Sequence, residues 1–358
     1  MPSLTAIETR SASFKHHQSD VTAGVLRWLG EIGADVDPRT VERLFSRAGV
    51  ENRASLTSLD QVFADVSFAD RNRLYQNAMI EAGIALSKAA ITAAGVSNVD
   101  LIVSSSCTGF MIPAVDAHIA NALHLGPRLI RLPITEAGCA GGAVALARAG
   151  DYVQAHPESA ALVVAVEFSS LTFQARDASP TNLVATALFA DGGGAAVLLG
   201  RNHPAVKKGA LRFIGTASYF MNDSLGSMGY DVVERGLKLV LDKRLPDSLR
   251  GRLRPMVTEF LGQNGLALED VAAFSIHPGG RKVLDVAAED LGLNETLMEP
   301  SRSVLRDHGN MSSATILFVL QRAIAQLPPG GTMLGIGFGP GFSIELSLWR
   351  SESMEGSA

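Results

Sequence analysis

Three residues in this chain have the types and settings for nucleophilic catalysis: Cys139 in ITEAGCAGGAVALARA, His277 in AAFSIHPGG and Asn310 in GNMSSATILFVL. Cys139 sits among small residues directly before an apolar, Pro-free run, which reads as a sharp turn opening a buried helix. The unpaired N–H groups and positive dipole end of such a helix stabilise negative charge, so the expectation is a thiol pKa lowered toward working pH. His277 ends a strand-like apolar run before Pro278, and Asn310 precedes an apolar helix that begins at Met311. A cysteine nucleophile needs an imidazole to hold it as thiolate and an amide donor to bind a developing oxyanion; all three types stand at element ends. Each also has a plain structural reading: a free cysteine as a small core hydrophobe, a strand-end histidine as a satisfied polar group, and Asn310 as a helix N-cap. Spacing alone does not separate the readings.

The elements that must position these residues are legible from periodicity. Residues 20–49 are helical, broken around Pro38, and a long Ala-rich helix runs from Arg73 to Ala94 with Gly95 as its C-cap. DLIVSSS (100–106) is a buried strand with Cys107 at its end, 111–125 returns to helical spacing, and AALVVAVEFSS (160–170) is a second buried strand. Phe189 and three glycines precede a third; the glycines lack dinucleotide spacing. After a polar break at 201–209 come the strand LRFIGTASYF, an irregular strand or loop over MGYDVVERGLKLVL leading into a helix, and a helix despite Pro255. The strand AAFSIH, the helices RKVLDVAAEDLG and MSSATILFVLQRAIAQL, and two glycine-joined strands over 332–349 complete the chain. The halves rhyme as strand, helix, strand, strand, which predicts two fused copies of one α/β unit: 1–205 carrying Cys139, and 206–358 carrying His277 and Asn310.

The 358 residues are 47% hydrophobic with a net charge of −5, ample for a large core, and no long basic run points to nucleic acid. Two cysteines make no disulfide framework and no Cys/His cluster has zinc spacing, so a reducing cytoplasm and no metal are expected. The polar N-terminus lacks a signal-peptide pattern, and the apolar runs fall short of the about 20 residues a membrane helix needs, so no membrane insertion is expected.

GCAGG around Cys139, HPGG at 277–280, GNMSSA at 309–314 and GFGPG at 337–341 together resemble a type III polyketide synthase of the chalcone synthase superfamily, of bacterial type. The likeness covers about residues 20–350. It implies the thiolase fold, a five-layer αβαβα sandwich of two pseudo-duplicated halves, and a homodimer. It also implies Cys139 as the acyl-accepting nucleophile and His277 with Asn310 as the pair that drives malonyl decarboxylation and stabilises the thioester enolate. Phe189 matches a gatekeeper between CoA tunnel and acyl cavity. The substrates it implies are malonyl-CoA and an acyl-CoA starter, with no cofactor. A ketoacyl-carrier-protein synthase III is the alternative within the same fold, but it typically carries HQAN in place of HPGG and lacks GFGPG.

The resemblance extends to the cavity. Gly337, Phe338, Gly339, Pro340 and Gly341 imply a cavity scaffold whose glycines let the backbone pass close to substrate, and Thr172 and Ser312 match lining positions. Leu239 replaces a second gatekeeper phenylalanine, Cys107 replaces the threonine of plant enzymes, and Tyr230 replaces a small glycine and is expected to obstruct a coumaroyl pocket. Arg47, Arg53 and Lys282 are candidates for CoA binding, and Ile112 resembles a residue that reaches across the dimer interface into the partner's cavity. The expected product is an alkylpyrone or alkylresorcinol from a lipid-like starter, motivated by Leu239 and the apolar SCTGFMIP stretch. A malonyl-only product such as tetrahydroxynaphthalene is the alternative, motivated by Cys107.

Overall fold

The computed structural model describes residues 1–353. An unexpected strand, β1 (Ser3–Ser11), opens the chain, followed by β2 (Phe14–His17), α1 (Gln18–Glu31) and α2 (Pro38–Arg47). Pro38 begins α2 behind an Asp37 cap, which turns the expected helix break into a helix start. β3 (Asn52–Ser55) and α3 (Leu59–Phe63) precede the long α4 (Phe68–Ala94), which starts ahead of Arg73 because Ser67 caps it; Gly95 closes it in the left-handed region.

The first half continues with β4 (Leu101–Ser105), α5 (Val115–Ala122), β5 (Ile130–Ile134), α6 (Gly141–Ala155), β6 (Ala160–Phe168), α7 (Pro180–Leu188) and β7 (Asp191–Leu199). The second comprises β8 (Leu211–Phe220), β9 (Met228–Val233), β10 (Gly236–Leu241), α8 (Leu245–Ser248), α9 (Leu253–Gln263), β11 (Val271–Ile276), α10 (Arg281–Leu291) and α11 (Glu295–His308). It ends with α12 (Thr315–Gln326), β12 (Thr332–Gly339) and β13 (Ser343–Arg350). MGYDVVERGLKLVL, expected as an irregular strand or loop leading into a helix, is the β9–β10 hairpin, a separate two-stranded sheet that leads into α8.

The large sheet runs β11-β12-β13-β8-β1-β7-β6-β4-β5. Read outward from its centre, β1-β7-β6-β4 and β8-β13-β12-β11 follow one pattern, antiparallel, antiparallel and then parallel. The two copies join where Ser3 and Leu4 pair with Arg212 and Leu211. Every residue of β6 is buried, as a continuous apolar run between two covered faces requires.

α6 and α12 lie between the two halves, where Leu146 and Leu317 share one core with Val163 of β6 and Met333 of β12. Each such leucine contributes about 2 kcal/mol of burial. α4 covers the outer face of the first half, and α9 and α10 that of the second, completing five alternating layers. Val25, Trp28 and Phe45 from α1 and α2 pack into the second half's outer core, so the N-terminal helices tie the halves together.

Candidate active site

Cys139 lies in a short 3-10 turn, Gly138–Ala140, that feeds directly into α6. The start of α6 packs so closely on the turn before α12 that a Cβ at Gly142 would stand 2.1 Å from the Ser313 carbonyl oxygen. That approach brings the Cys139 sulfur 3.5 Å from Ser312 Oγ, and the Cys107 sulfur lies 3.3 Å from the same hydroxyl. The two thiols thus flank one hydroxyl.

The His277 backbone N–H donates to the Ile336 carbonyl at 2.8 Å, extending the β11–β12 ladder by one step and fixing where the ring emerges. The ring is fully buried, and neither nitrogen has a hydrogen-bond partner among the described residues. Asn310 is held differently. Its backbone N–H donates to Leu188 and its carbonyl accepts from Ala190, both at 2.9 Å, forming a bridge to the segment around Phe189. Its side-chain Oδ1 accepts from the Ser312 N–H at 2.8 Å and from Thr315 Oγ1 at 3.3 Å, which leaves the amide NH2 to donate on the side of the Cys139 thiol. Cys139, His277 and Asn310 line one cavity of about 250 Å³ together with Phe189, Leu239 and Phe338.

Burial governs the ionisation of this site. It pushes the Cys139 thiol up to about 11 and the His277 imidazole down to about 4. The expected lowering of the thiol by the helix end is therefore outweighed, because a helix terminus is worth about 1 kcal/mol and desolvation of a buried charge costs more. Moving the thiol proton onto His277 changes the balance: it leaves the net charge at zero and creates two mutually attracting ions. In His277→Ala that route is gone. Alkylation of Cys139 by iodoacetamide, followed by peptide mass spectrometry, should then climb about tenfold per pH unit from 7 to 10, with the wild type reacting faster at pH 7. Equal rates at pH 7 would show that the imidazole takes no part in activating the thiol.

The remaining expected residues separate into three groups. Phe189, directly after α7, and Leu239 on β10 divide the main cavity from a smaller one of about 50 Å³ walled by Val62, Phe63, Phe173 and Thr172. Tyr230 faces Leu239 across the β9–β10 hairpin and is half-buried, with its phenol near both thiols and Thr172. Only Phe338 of GFGPG lines the main cavity. Gly337 and Gly339 instead face Ala143 and Ala140, where a Cβ would stand 2.7 and 2.5 Å away, so the close backbone approach is to the nucleophile's own helix. Pro340 packs on Gly138, and Gly341 lies beside Phe220.

Arg47 and Lys282 stand at the cavity rim beside Lys243 and Arg281, Lys282 paired with Asp247 at 2.7 Å. Arg53 does not belong with them. It is 6% exposed, and its guanidinium is bonded to backbone carbonyls inside the protein, out of reach of a phosphate at the rim. Ile112 is fully exposed on the loop before α5 and so lies outside this chain's cavity.

Glu167 escaped the sequence reading. This fully buried carboxylate at the end of β6 accepts from the Cys107 N–H at 3.1 Å, Thr108 Oγ1 at 2.8 Å and Ser313 Oγ, tying the Cys107 loop to the Ser312 turn. Burial raises its pKa, and the surrounding donors oppose the rise. A single charge inside the run AALVVAVEF was the available signal.

Comparison with known proteins agrees along the whole length. Residues 56–203 match the N-terminal domain of the chalcone and stilbene synthases and residues 213–353 the C-terminal domain. A 1,3,6,8-tetrahydroxynaphthalene synthase from Streptomyces peucetius is 33% identical, over 97% of this chain and 93% of its own. The alpha-pyrone synthesis polyketide synthase-like Pks18 of Mycobacterium tuberculosis is 30% identical, over 86% and 81%. The crystal structure of 1,3,6,8-tetrahydroxynaphthalene synthase from Streptomyces coelicolor, a bacterial type III polyketide synthase, superposes with a TM-score of 0.91 at 29% identity over 98% of this chain and 99% of that one. The layered, duplicated architecture is thus the thiolase fold, and the chain belongs to the chalcone and stilbene synthase family, in its type III polyketide synthase branch, and is an acyltransferase.

Proposed function

We propose that this enzyme loads an acyl group from CoA onto Cys139 and extends it by decarboxylative condensation with malonyl-CoA. The observation that carries the reading is one cavity lined by a thiol, an imidazole and an amide donor, with a basic rim at Arg47, Lys243, Arg281 and Lys282. The thiolate attacks the starter thioester, and CoA leaves as its thiol by taking the proton held on His277, which returns the imidazole to its neutral form. Malonyl-CoA then loses CO2, and the electron pair of the broken C–C bond becomes an enolate whose oxygen meets the His277 and Asn310 donors. Such donors stabilise charge as it develops. The enolate carbon attacks the Cys139 thioester, and the extended chain returns to the sulfur. CoA thioesters enter as substrates and the scheme takes no cofactor.

An aliphatic starter and an alkylpyrone or alkylresorcinol product are supported by the apolar walls. Leu44, Val184, Leu188 and Leu241 line the cavity, and Leu239 adjoins the second apolar space. The Tyr230 ring opposes a bulky aromatic starter. A second reading, a product built from malonyl units alone, is favoured by Cys107 beside the Ser312 hydroxyl and by the similarity to a tetrahydroxynaphthalene synthase. Incubation with labelled malonyl-CoA, with and without a series of acyl-CoA starters, separates the two by mass spectrometry. The first reading expects starter-dependent products, whereas products formed from malonyl-CoA alone and unaffected by long-chain starters would overturn it.

The same reading places the enzyme in the cytoplasm as a homodimer. Two free thiols support the compartment. The fully exposed Ile112 and the partly exposed Phe110, Ile130 and Leu132, the last two on edge strand β5, support a face for a second copy. Among the described residues no helix is long and apolar enough to cross a membrane.

A further inference from the structure

The C-terminus of α7 is closed from outside the helix. A helix leaves its last carbonyls without partners of its own. Here the guanidinium of Arg53 bonds the carbonyls of Thr186, Ala187 and Phe189, the last at 2.9 Å. Gln18 accepts from the same guanidinium and donates a further bond to the Ala187 carbonyl at 3.0 Å. Both side chains are buried. Leu188 and Ala190, on either side of Phe189, form the backbone bridge to Asn310. Asp191 ties down the far end by accepting from the Leu56 N–H at 2.7 Å and the Ser170 N–H at 2.8 Å.

We propose that Arg53, oriented by Gln18, is a positioning residue for the reaction: it fixes the Phe189 backbone and, through the bridge, the Asn310 amide, without touching substrate. The inference rests on the roles assigned to Phe189 and Asn310 above. It replaces the expected contact with CoA phosphates by a contact with the protein's own backbone. Lysine is a poor substitute, because one ammonium on a flexible stem cannot hold three carbonyls in the fixed geometry of a guanidinium.

The test compares Arg53→Lys and Gln18→Met with wild type on malonyl-CoA and on the N-acetylcysteamine thioester of malonate, which has no nucleotide phosphates. Rates are normalised to folded protein. Arg53→Lys should lower kcat for decarboxylation about tenfold on both thioesters with KM little changed, and Gln18→Met about threefold with the same split. Hydrogen exchange at the Ala190 and Asn310 amides reads the clamp without turnover and should quicken in both variants. A loss confined to CoA thioesters would assign Arg53 to phosphate binding and overturn the proposal. Unchanged kcat or unchanged exchange in folded variants would overturn it too, and if Arg53→Lys fails to fold, Gln18→Met decides in its place by the same two readouts. A wild type that releases no CO2 from either thioester would instead sink the proposed function, while the exchange experiment still tests the clamp.

Discussion

Cys139→Ala should abolish polyketide formation, by at least about 10³-fold, while malonyl-CoA continues to lose CO2. The two half-reactions use different parts of the cavity. Loading and condensation need a sulfur to carry the chain, and Cys107 is no substitute: it sits behind the Ser312 hydroxyl, its N–H is tied to Glu167, and burial raises its thiol well above the ordinary range. Decarboxylation needs donors for the enolate oxygen, and those come from His277 and Asn310, which keep their own backbone anchors when Cys139 is truncated. Radiolabelled CO2 release and product mass spectrometry on one sample separate the outcomes. Full product formation by Cys139→Ala would remove the nucleophile assignment, and loss of both activities would mean that the half-reactions are not separable.

Asn310→Ala and Asn310→Asp should each slow decarboxylation by about 10²–10³-fold, the cost of removing one donor to a developing oxyanion. The aspartate variant is the sharper probe. Because Oδ1 is already held by the Ser312 N–H and Thr315 Oγ1, a carboxylate keeps both anchors and presents a second oxygen where the amide presents hydrogens. The anchors are kept, while the donor is lost and a negative charge that opposes the enolate is added. His277→Ala should fall similarly, since the buried ring has both nitrogens uncommitted among the described residues. CO2 release by Asn310→Asp within threefold of wild type would show that the amide is not the donor.

How much of this was legible in the sequence depended on whether neighbours in space were also neighbours in pattern. The ends of apolar runs mark Cys139, His277 and Asn310 as candidates, and the motifs GCAGG, HPGG and GNMSSA around them assign their roles by resemblance. The β9–β10 segment reads as strand or loop, but not as a regular hairpin, because Leu237, Leu239 and Leu241 alternate with Lys238 and Val240 over too few residues to fix a pairing partner. β1 was missed because its sequence is polar: it pairs with β7 along its length and borrows its burial from the sheet's centre. Arg53 was placed wrongly because an arginine in a loose alignment reads as surface, and only the tertiary fold reveals three carbonyls waiting for it. Glu167 was passed over as part of an apolar strand, since its donors come from two distant loops.

The β9–β10 hairpin shares no strand pairing with the nine-stranded sheet, yet it holds Met228, Leu239 and Leu241 at the cavity, with Tyr230 opposite Leu239 in its register. The wall facing the growing chain is therefore a cassette joined to the scaffold at its two ends, by side-chain packing, by the Gln174 amide bonded to the Leu237 carbonyl and by the Lys238–Asp177 ion pair. Its residues can be exchanged as a block without disturbing the register of the strands that hold His277, so product range can drift, or be grafted from a relative, while the condensing chemistry stays in place.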